Sequence, residues 1–342
     1  MGTATGPLRK SPTLYDVAAL AGVSHQTVSR LVKGRTNIRP ETRKRVEAAI
    51  RALNYKPNQA ARSLATSRSH RIGALVYEIT EVGPSKIMLG AISGARDAGY
   101  LLDIVNLDPN DDKAIEQSIS MINQNDLDAL MVFAPTDRVV EAISRVQLSV
   151  PVYVESEANE SLDTSGPTLN ERGVGILVDH LAGYGHRRFF HIAGPRGWLA
   201  ARGRERSYES ALAARGLGSV GSYEGNWTAV SGYEAALRMP LDKGVTALFA
   251  GNDQMALGAM AALTERGVLI PEDVSVVGFD DIPEARFFRP SLTTVRLDFE
   301  RQGRIAINRV LTTITGVNPD PQLQAVAPEL FVRESSGPAP LP

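Results

Sequence analysis

Gln26 and Arg30 stand four residues apart and end in planar hydrogen-bonding forks. A carboxamide fork matches the adenine edge and a guanidinium fork the guanine edge, so the chemistry within reach is the reading of bases in a major groove. His25, Thr27 and Ser29 lie among them and Ser24 just before. Such reading needs a rod slim enough for the groove. The surrounding stretch, TLYDVAALAGVSHQTVSRLV from Thr13 to Val32, predicts two short helices joined by a tight turn. Thr13 caps the first, with Asp16 in the reciprocal capping position. Val17, Leu20 and Ala21 make its inward face, Gly22 supplies the turn, and Ser24 caps a second helix whose Val28, Leu31 and Val32 point inward. His25, Gln26, Ser29 and Arg30 are left facing outward, as in a helix-turn-helix. The bland alternative is a helical hairpin with a solvated polar face.

Charge weighs against that alternative. The net charge of the 342 residues is −1, but residues 1–71 hold 14 basic and 3 acidic residues against 23 and 35 in the remainder, +11 beside −12. A strongly basic head on an acidic body fits a polyanion partner. Lys33, Arg35 and Arg39, with Thr36 and Asn37, follow the second helix and are phosphate-contacting types. Pro40 then opens a third helix, ETRKRVEAAIRALNY, with Val46, Ala49, Ile50 and Leu53 on its buried side. Pro57 to Ser69 has the composition of a linker with moderate helix propensity, and a plain flexible tether is the simple reading of it.

From Arg71 the pattern alternates. IGALVY, YLLDIVN, DALMVFA and VPVYVE read as buried strands, with amphipathic segments at about 86–98, 113–124 and 137–147. RRFFHIAG, SYEGNW, TALFA and VSVVGF form a second strand series, with helices starting at Leu199, Ser231 and Asp253. Two such series predict two lobes with parallel sheets and a ligand cleft outside the strand C-termini. The segment 155–170 is the expected first crossover, SLTTVRLDFE near 291–300 the return, and LQAVAPELFVRES the last strand.

Other classes fare poorly. There is no cysteine, hence no disulfide or thiolate metal site. No run of about 20 apolar residues would span a membrane, and the opening MGTATGPLRKSP lacks a signal-peptide core, so a cytoplasmic location is expected. The histidines are His25, His70, His180, His186 and His191. His180 and His186 are six apart, wrong for one helix face, so no metal is expected. No nucleophile elbow or phosphate loop is present. Paired carboxylates such as Asp280 and Glu155 could in principle serve glycoside hydrolysis, but the basic head would have no part in it. No enzyme and no cofactor are expected. A transport solute-binding protein would lack the basic head and need an export signal.

TLYDVAALAGVS followed by QTVSRLVKG strongly resembles the N-terminus of the LacI/GalR family of bacterial transcription regulators, and the resemblance runs over nearly the whole chain. It implies an α/β, periplasmic-binding-protein-like two-lobed core behind an N-terminal all-α helix-turn-helix headpiece. The expected divisions are a headpiece at 1–56, a hinge at 57–70, an N-terminal lobe at 71–168 plus about 297–326, a C-terminal lobe at 169–296 plus about 327–336, and a tail at 337–342. By this likeness Asn58 and Ala61 join the DNA contacts. The hinge would fold on operator DNA, with Leu64 as the wedge into the minor groove. A helix of roughly eight residues is too short to persist alone, which would let a distant ligand control it. Arg39 departs from the family, where a small capping residue is common.

The same likeness points to an effector site. Arg202 in AGPRGWLAARGR, Asn252 and Asp253 in FAGNDQMALGAM, Asp280 in VVGFDDIP, Trp227 in GNWTAVSG and Phe299 in LDF match the family's cleft residues. NDQMALGAM is a long match, and in it the resemblance makes Asp253 the helix cap. Tyr77, Phe133, Leu297 and Trp198 add aromatic or apolar bulk at cleft positions, and Glu155, Ser156 or Glu157 supplies the acidic contact. Vicinal hydroxyls need planar bidentate partners and a sugar's C–H face needs an aromatic wall. The expected effector is therefore a sugar, a disaccharide or β-glycoside, acting as inducer on a homodimer that holds a palindromic operator. A purine or other non-sugar co-repressor is the alternative. A sugar-binding or glycoside-processing protein without gene regulation is the second. Some members continue into a leucine-heptad helix that builds tetramers. The ending SSGPAPLP cannot, so dimers are expected.

Overall fold

Thr13 and Asp16 close a capping box, the Asp16 N–H donating to Thr13 Oγ1 and the Thr13 N–H to Asp16 Oδ2 at 2.7 Å, and this starts α1, Leu14–Ala21. The structure is a computed structural model that describes residues 12–32, 38–55, 68–77, 79–107, 111–133, 136–155 and 166–341. The chain divides into two units, residues 1–69 and 70–342.

In the first unit, Gly22 ends α1 with φ +62°, a conformation that costs glycine little, and α2 follows as His25–Val32. Pro40 opens α3, Pro40–Ala52, where the missing N–H costs nothing. Val17, Ala18, Ala21, Val28, Val46, Ala49 and Tyr55 make the core, with Leu31, Val32, Ile50 and Leu53 half-buried against it. Leu20, expected inward, is 57% exposed, because Ala18 takes the core position beside Val17 and Ala21. So small a core leaves little reserve of stability.

The second unit holds two sheets. The N-lobe sheet is parallel, in the order β2-β1-β3-β4, from strands Leu101–Leu107, Arg71–Tyr77, Ala129–Val132 and Val152–Val154. Its helices are α4 Val82–Asp97, α5 Asp112–Asn123 and α6 Asp137–Arg145. The C-lobe sheet runs β10-β9-β8-β7-β5-β6, from Glu329–Phe331, Thr293–Arg296, Ser275–Phe279, Ala247–Ala250, Arg188–Ala193 and Gly218–Glu224. It is parallel except for the β10–β9 pair. The intervening helices are α7 Leu169–Gly183, α8 Leu199–Ala214, α9 Ala229–Leu237 and α10 Asp253–Glu265, and α11 Phe299–Thr315 follows β9.

Several sequence expectations change. Helices α7 and α11 lie where no helix was expected. Thr168 and Glu171 form a second capping box at the start of α7, and Asp298 caps α11 by accepting from the Arg301 N–H. The sixth strand ends at Glu224, before Gly225–Trp227 leave the sheet, and the last strand shortens to three residues. The stretch around Thr293–Arg296 is a C-lobe strand, after which α11 packs on N-lobe helix α4. That crossing is close enough to require glycine: a Cβ on Gly90 would lie 1.8 Å from the Glu300 carbonyl, and one on Gly303 1.8 Å from that of Ile87. Ala306, Ile307, Val310 and Leu311 of α11 complete the N-lobe core with Ile72, Ala74 and Met131. Among the described residues no helix is long and apolar enough to cross a membrane.

Candidate functional site

In the first unit, α2 turns Val28 inward and leaves His25, Gln26 and Arg30 exposed. Ser24 is spent on capping: its Oγ accepts from the Thr27 N–H at 3.2 Å and lies 3.0 Å from the Thr27 hydroxyl. Ser29 and Thr27 are half-buried beside the exposed face, and Arg39 is exposed just before α3 without making a side-chain cap. Tyr15, which sequence reading did not single out, brings its ring to 5.2 Å from that of His25 and extends the polar face. Arg45 donates to the carbonyls of Ala21 and Gly22, so this basic side chain serves the turn. Asn37, Asn58, Ala61 and Leu64, nearly all of the 57–70 hinge, and Ser156 and Glu157 lie outside the described residues.

The second unit carries a cavity where the strand ends of both lobes face each other, the place the topology of such sheets predicts. Phe133 follows β3 and Glu155 follows β4. Trp198 lies beyond β5, Trp227 beyond β6, Asn252 beyond β7 and Asp280 directly after β8. Val82, Gly83, Pro84 and Ile87 of α4, together with Asn170, Arg204 and Phe299, complete the main wall. The space is about 870 Å³, open solvent included.

Asp280 is the most constrained group there. Arg204 Nη2 donates to its Oδ1 at 3.3 Å, Nε donates to Asn170 Oδ1 at 2.9 Å and Nη1 to the Gly251 carbonyl at 2.6 Å. The guanidinium also lies 4.0 Å from the centre of the Phe279 ring. Burial pushes the Asp280 carboxyl up to about 6, against the pull of Arg204 and Lys86. Asn252 caps α10 through the Met255 N–H and donates to the Trp227 carbonyl at 2.9 Å, so one amide fixes both a helix and an aromatic wall. Trp227 and Asp280 both adopt positive φ, +68° and +109°. Non-glycine residues held there store about 1–3 kcal/mol each and gather at functional sites. Gly194 makes room for the indole, since a Cβ would meet Trp227 Cη2 at 2.1 Å. On the opposite wall, burial pushes the Glu155 carboxyl up to about 7.

Of the residues expected in the cleft, Phe133, Glu155, Trp198, Trp227, Asn252, Asp280 and Phe299 line this cavity. Arg202 does not. It is turned away and donates to the Arg196 and Gly197 carbonyls, while Arg204, two residues on, faces the site. Two positions rotate a helix by about 200°, so a motif match displaced by two selects the wrong face. Tyr77 stands behind the wall, its ring 4.9 Å from Trp198, and Leu297 is buried in the C-lobe core. Asp253 is not the cap of α10, which is Asn252. Fully buried, it accepts from Thr294 Oγ1 and the Ile282 N–H. Asn170 was missed because it lies on a helix that periodicity did not reveal.

The histidines of the C-lobe are structural. His180 bonds Ser336, His186 bonds Thr246 and Ser275, and His191 is buried against Tyr208 and Phe249, which holds it neutral. Among the described residues no three His, Asp or Glu groups are placed to hold a metal.

Residues 13–58 match the family described as bacterial regulatory proteins, lacI family, and residues 178–336 match the periplasmic binding protein-like domain. The chain is 33% identical to the lactose operon repressor of Escherichia coli K12 over 310 residues, 90% of this chain and 86% of that one. It is 32% identical to the HTH-type transcriptional repressor PurR of Haemophilus influenzae over 331 residues, 94% and 98% of the two chains. The solved lac repressor dimer bound to operator and the anti-inducer ONPF superposes with a TM-score of 0.83 at 31% identity, over 96% of this chain and all of that one. A complex of the regulator CelR with cellobiose gives 0.67 at 29% identity, over 95% and 100%. These relatives are transcriptional repressors and a transcriptional regulator, not enzymes. A helix-turn-helix headpiece before a two-lobed body is thus shared from end to end, and the chain belongs to the LacI family of bacterial regulatory proteins, as a transcriptional repressor with a ligand-binding core.

Proposed function

We propose that this repressor holds a palindromic operator as a homodimer and releases it when a sugar, a disaccharide or β-glycoside, enters the cleft between its lobes. The observation that carries the sugar reading is the wall itself: a buried carboxylate braced by Arg204, which Asn170 holds in turn, set among Trp198, Trp227, Phe133 and Phe299. Planar acceptors suit vicinal hydroxyls and aromatic faces suit the C–H side of a pyranose. The solved relative that holds cellobiose supports the same reading.

On the DNA side, Gln26 and Arg30 read bases, with His25 and Ser29 beside them, while Ser24, Thr27, Asn37 and Arg39 hold backbone register. Asn58, Ala61 and Leu64 complete the contact through the hinge. Two copies bring two α2 helices to inverted half-sites. Exposed apolar side chains on the C-lobe, Val230 at 68%, Leu257 at 40% and Phe287 at 70%, supply surface for pairing. A regulator of genes acts where the chromosome is, hence in the cytoplasm, with no membrane partner.

The effector acts through its different affinities for two body states, a coupling typically worth about 1–3 kcal/mol. A purine co-repressor is the second reading, favoured by the aromatic wall and by the likeness to PurR. One experiment separates them. A thermal-shift panel of mono- and disaccharides and purines on the full chain finds the binder, since any ligand of the folded state raises Tm. Operator titration with that binder then gives the sign. Tm raised only by purines, with tighter operator binding, would replace the sugar reading. Failure to prefer any palindrome over random duplex would remove gene regulation altogether.

A further inference from the structure

Glu155 is the cleft group whose chemistry the family likeness leaves open. It ends β4 in the N-lobe and lines the cavity with Phe133, Ile87, Trp198 and Phe299. One of its oxygens, Oε2, is buried and has no hydrogen-bond partner among the described residues. The other is engaged from behind. Tyr153, two residues earlier on β4, hydrogen-bonds the carboxyl. Arg309 of α11 donates from Nη1 to the Tyr153 hydroxyl at 3.0 Å, which leaves the phenol O–H to point at Glu155. The guanidinium stands behind the phenol, and its charge and the phenol bond both favour the carboxylate, but burial outweighs them. The other charged groups nearby give no relief. Across the cavity, Arg204 is committed to Asn170, Gly251 and Asp280. Lys86 of α4 draws on Asp280, and Glu81, before α4, is itself acidic.

An orphaned, desolvated carboxyl oxygen can be satisfied in two ways. It accepts from a ligand hydroxyl as a carboxylate, or it carries a proton and donates. Arg309 is the cation on this side of the cleft, but desolvation by burial outweighs its pull, so the charged form is the costly one. Ligand entry removes the remaining water and raises that cost. We propose that Glu155 meets the ligand as a neutral carboxylic acid, donating its O–H from Oε2 to an acceptor oxygen of the ligand, with Tyr153 and Arg309 as the positioning pair that fixes the other oxygen. This rests on the cleft being the effector site. It selects ligands that present a bare acceptor, such as a ring or glycosidic oxygen, towards the N-lobe. It also makes binding take up a proton from solvent at neutral and higher pH. Burial places the Glu155 titration at about 7, where this linkage is felt.

The test has two arms on the full chain. In the ligand-free protein, carbon-13 NMR of δ-labelled glutamate, with Glu155→Gln used to assign the signal, should show one carboxyl titrating near neutrality. Tyr153→Phe, which removes a bond that favours the charged form, should move that midpoint upward. A midpoint in the ordinary glutamate range, or no response to Tyr153→Phe, overturns the proposal. In the second arm, calorimetry with cellobiose and with o-nitrophenyl β-galactoside in two buffers of different ionisation enthalpy reads proton uptake. Expected are uptake above neutral pH, affinity falling by up to about tenfold per pH unit, and loss of both in Glu155→Gln, whose amide still donates. Proton release, or uptake that persists in Glu155→Gln, overturns it. If neither glycoside binds at any pH while the NMR midpoint is as expected, the sugar reading of the cleft is what fails.

Discussion

The phenol ring of Tyr77 lies 4.9 Å from the indole of Trp198, and the two belong to different lobes. Tyr77 ends β1, whereas Trp198 stands before α8 and also forms a backbone bridge with Thr136 of the N-lobe. The same indole meets Trp227 edge to face at 5.7 Å. Trp198 thus joins the lobes and walls the cavity at once.

Because Trp198 and Trp227 are the two tryptophans of the chain and both line the cavity, effector binding should change intrinsic fluorescence strongly. An aromatic pair contributes about 0.5–1.5 kcal/mol beyond area burial. Tyr77→Leu should therefore speed effector dissociation roughly two- to tenfold, measured by stopped-flow fluorescence. An unchanged rate would mean that the inter-lobe stack does not hold the closed cleft.

Arg204 and Arg202 should behave oppositely. Removing Arg204 leaves Asp280 buried without its cation, a change typically costing about 3–5 kcal/mol, and should abolish the effector response. Arg202→Ala leaves the Arg204–Asp280 pair in place and removes exposed hydrogen bonds such as those to the Arg196 and Gly197 carbonyls, so it should stay within about 0.5 kcal/mol. Urea titration of both variants decides. Equal losses would contradict the assignment of the cleft arginine.

Gln26→Ala and Arg30→Ala should each cost about 1–3 kcal/mol at particular operator bases. Arg39→Ala should instead weaken all duplexes alike and lower the salt slope by about one unit. Binding measured on a library of half-sites over a salt series separates the two patterns. A uniform loss for Gln26→Ala would move that residue to the phosphates.

Glu155 also predicts a pH signature in stability. Its folded-state titration, about 7, lies above the ordinary glutamate value. The folded protein therefore binds the proton more tightly than the unfolded chain, and this favourable linkage is full at low pH and lost as pH rises through about 7. Glu155→Gln should accordingly gain stability at pH 8, on the order of 1–3 kcal/mol after allowance for partial solvation, and little at pH 4. Denaturation at the two pH values checks it, and an equal effect at both would rule out titration as the cause.

What the chain's own order of residues determined is local or cumulative. The capping box at Thr13 and Asp16, the turn at Gly22, the outward Gln26 and Arg30, the basic head and the alternation of strands and helices depend on neighbours within a few positions, or on sums over many. Strand-end motifs such as GND and GFDD could also be placed, because a strand C-terminus in this architecture faces the cleft. Tertiary structure decided the rest. Whether Arg202 or Arg204 meets Asp280 depends on the rotation of α8 about its axis, which no short motif encodes. Asn170 reaches the same arginine from a different helix, and Tyr77 serves the wall from behind because Trp198 crosses from the other lobe to cover it. Glu155 is a surface-type residue by composition. Only the burial imposed by the walls folded around it makes its ionisation costly, against the pull of Tyr153 and Arg309.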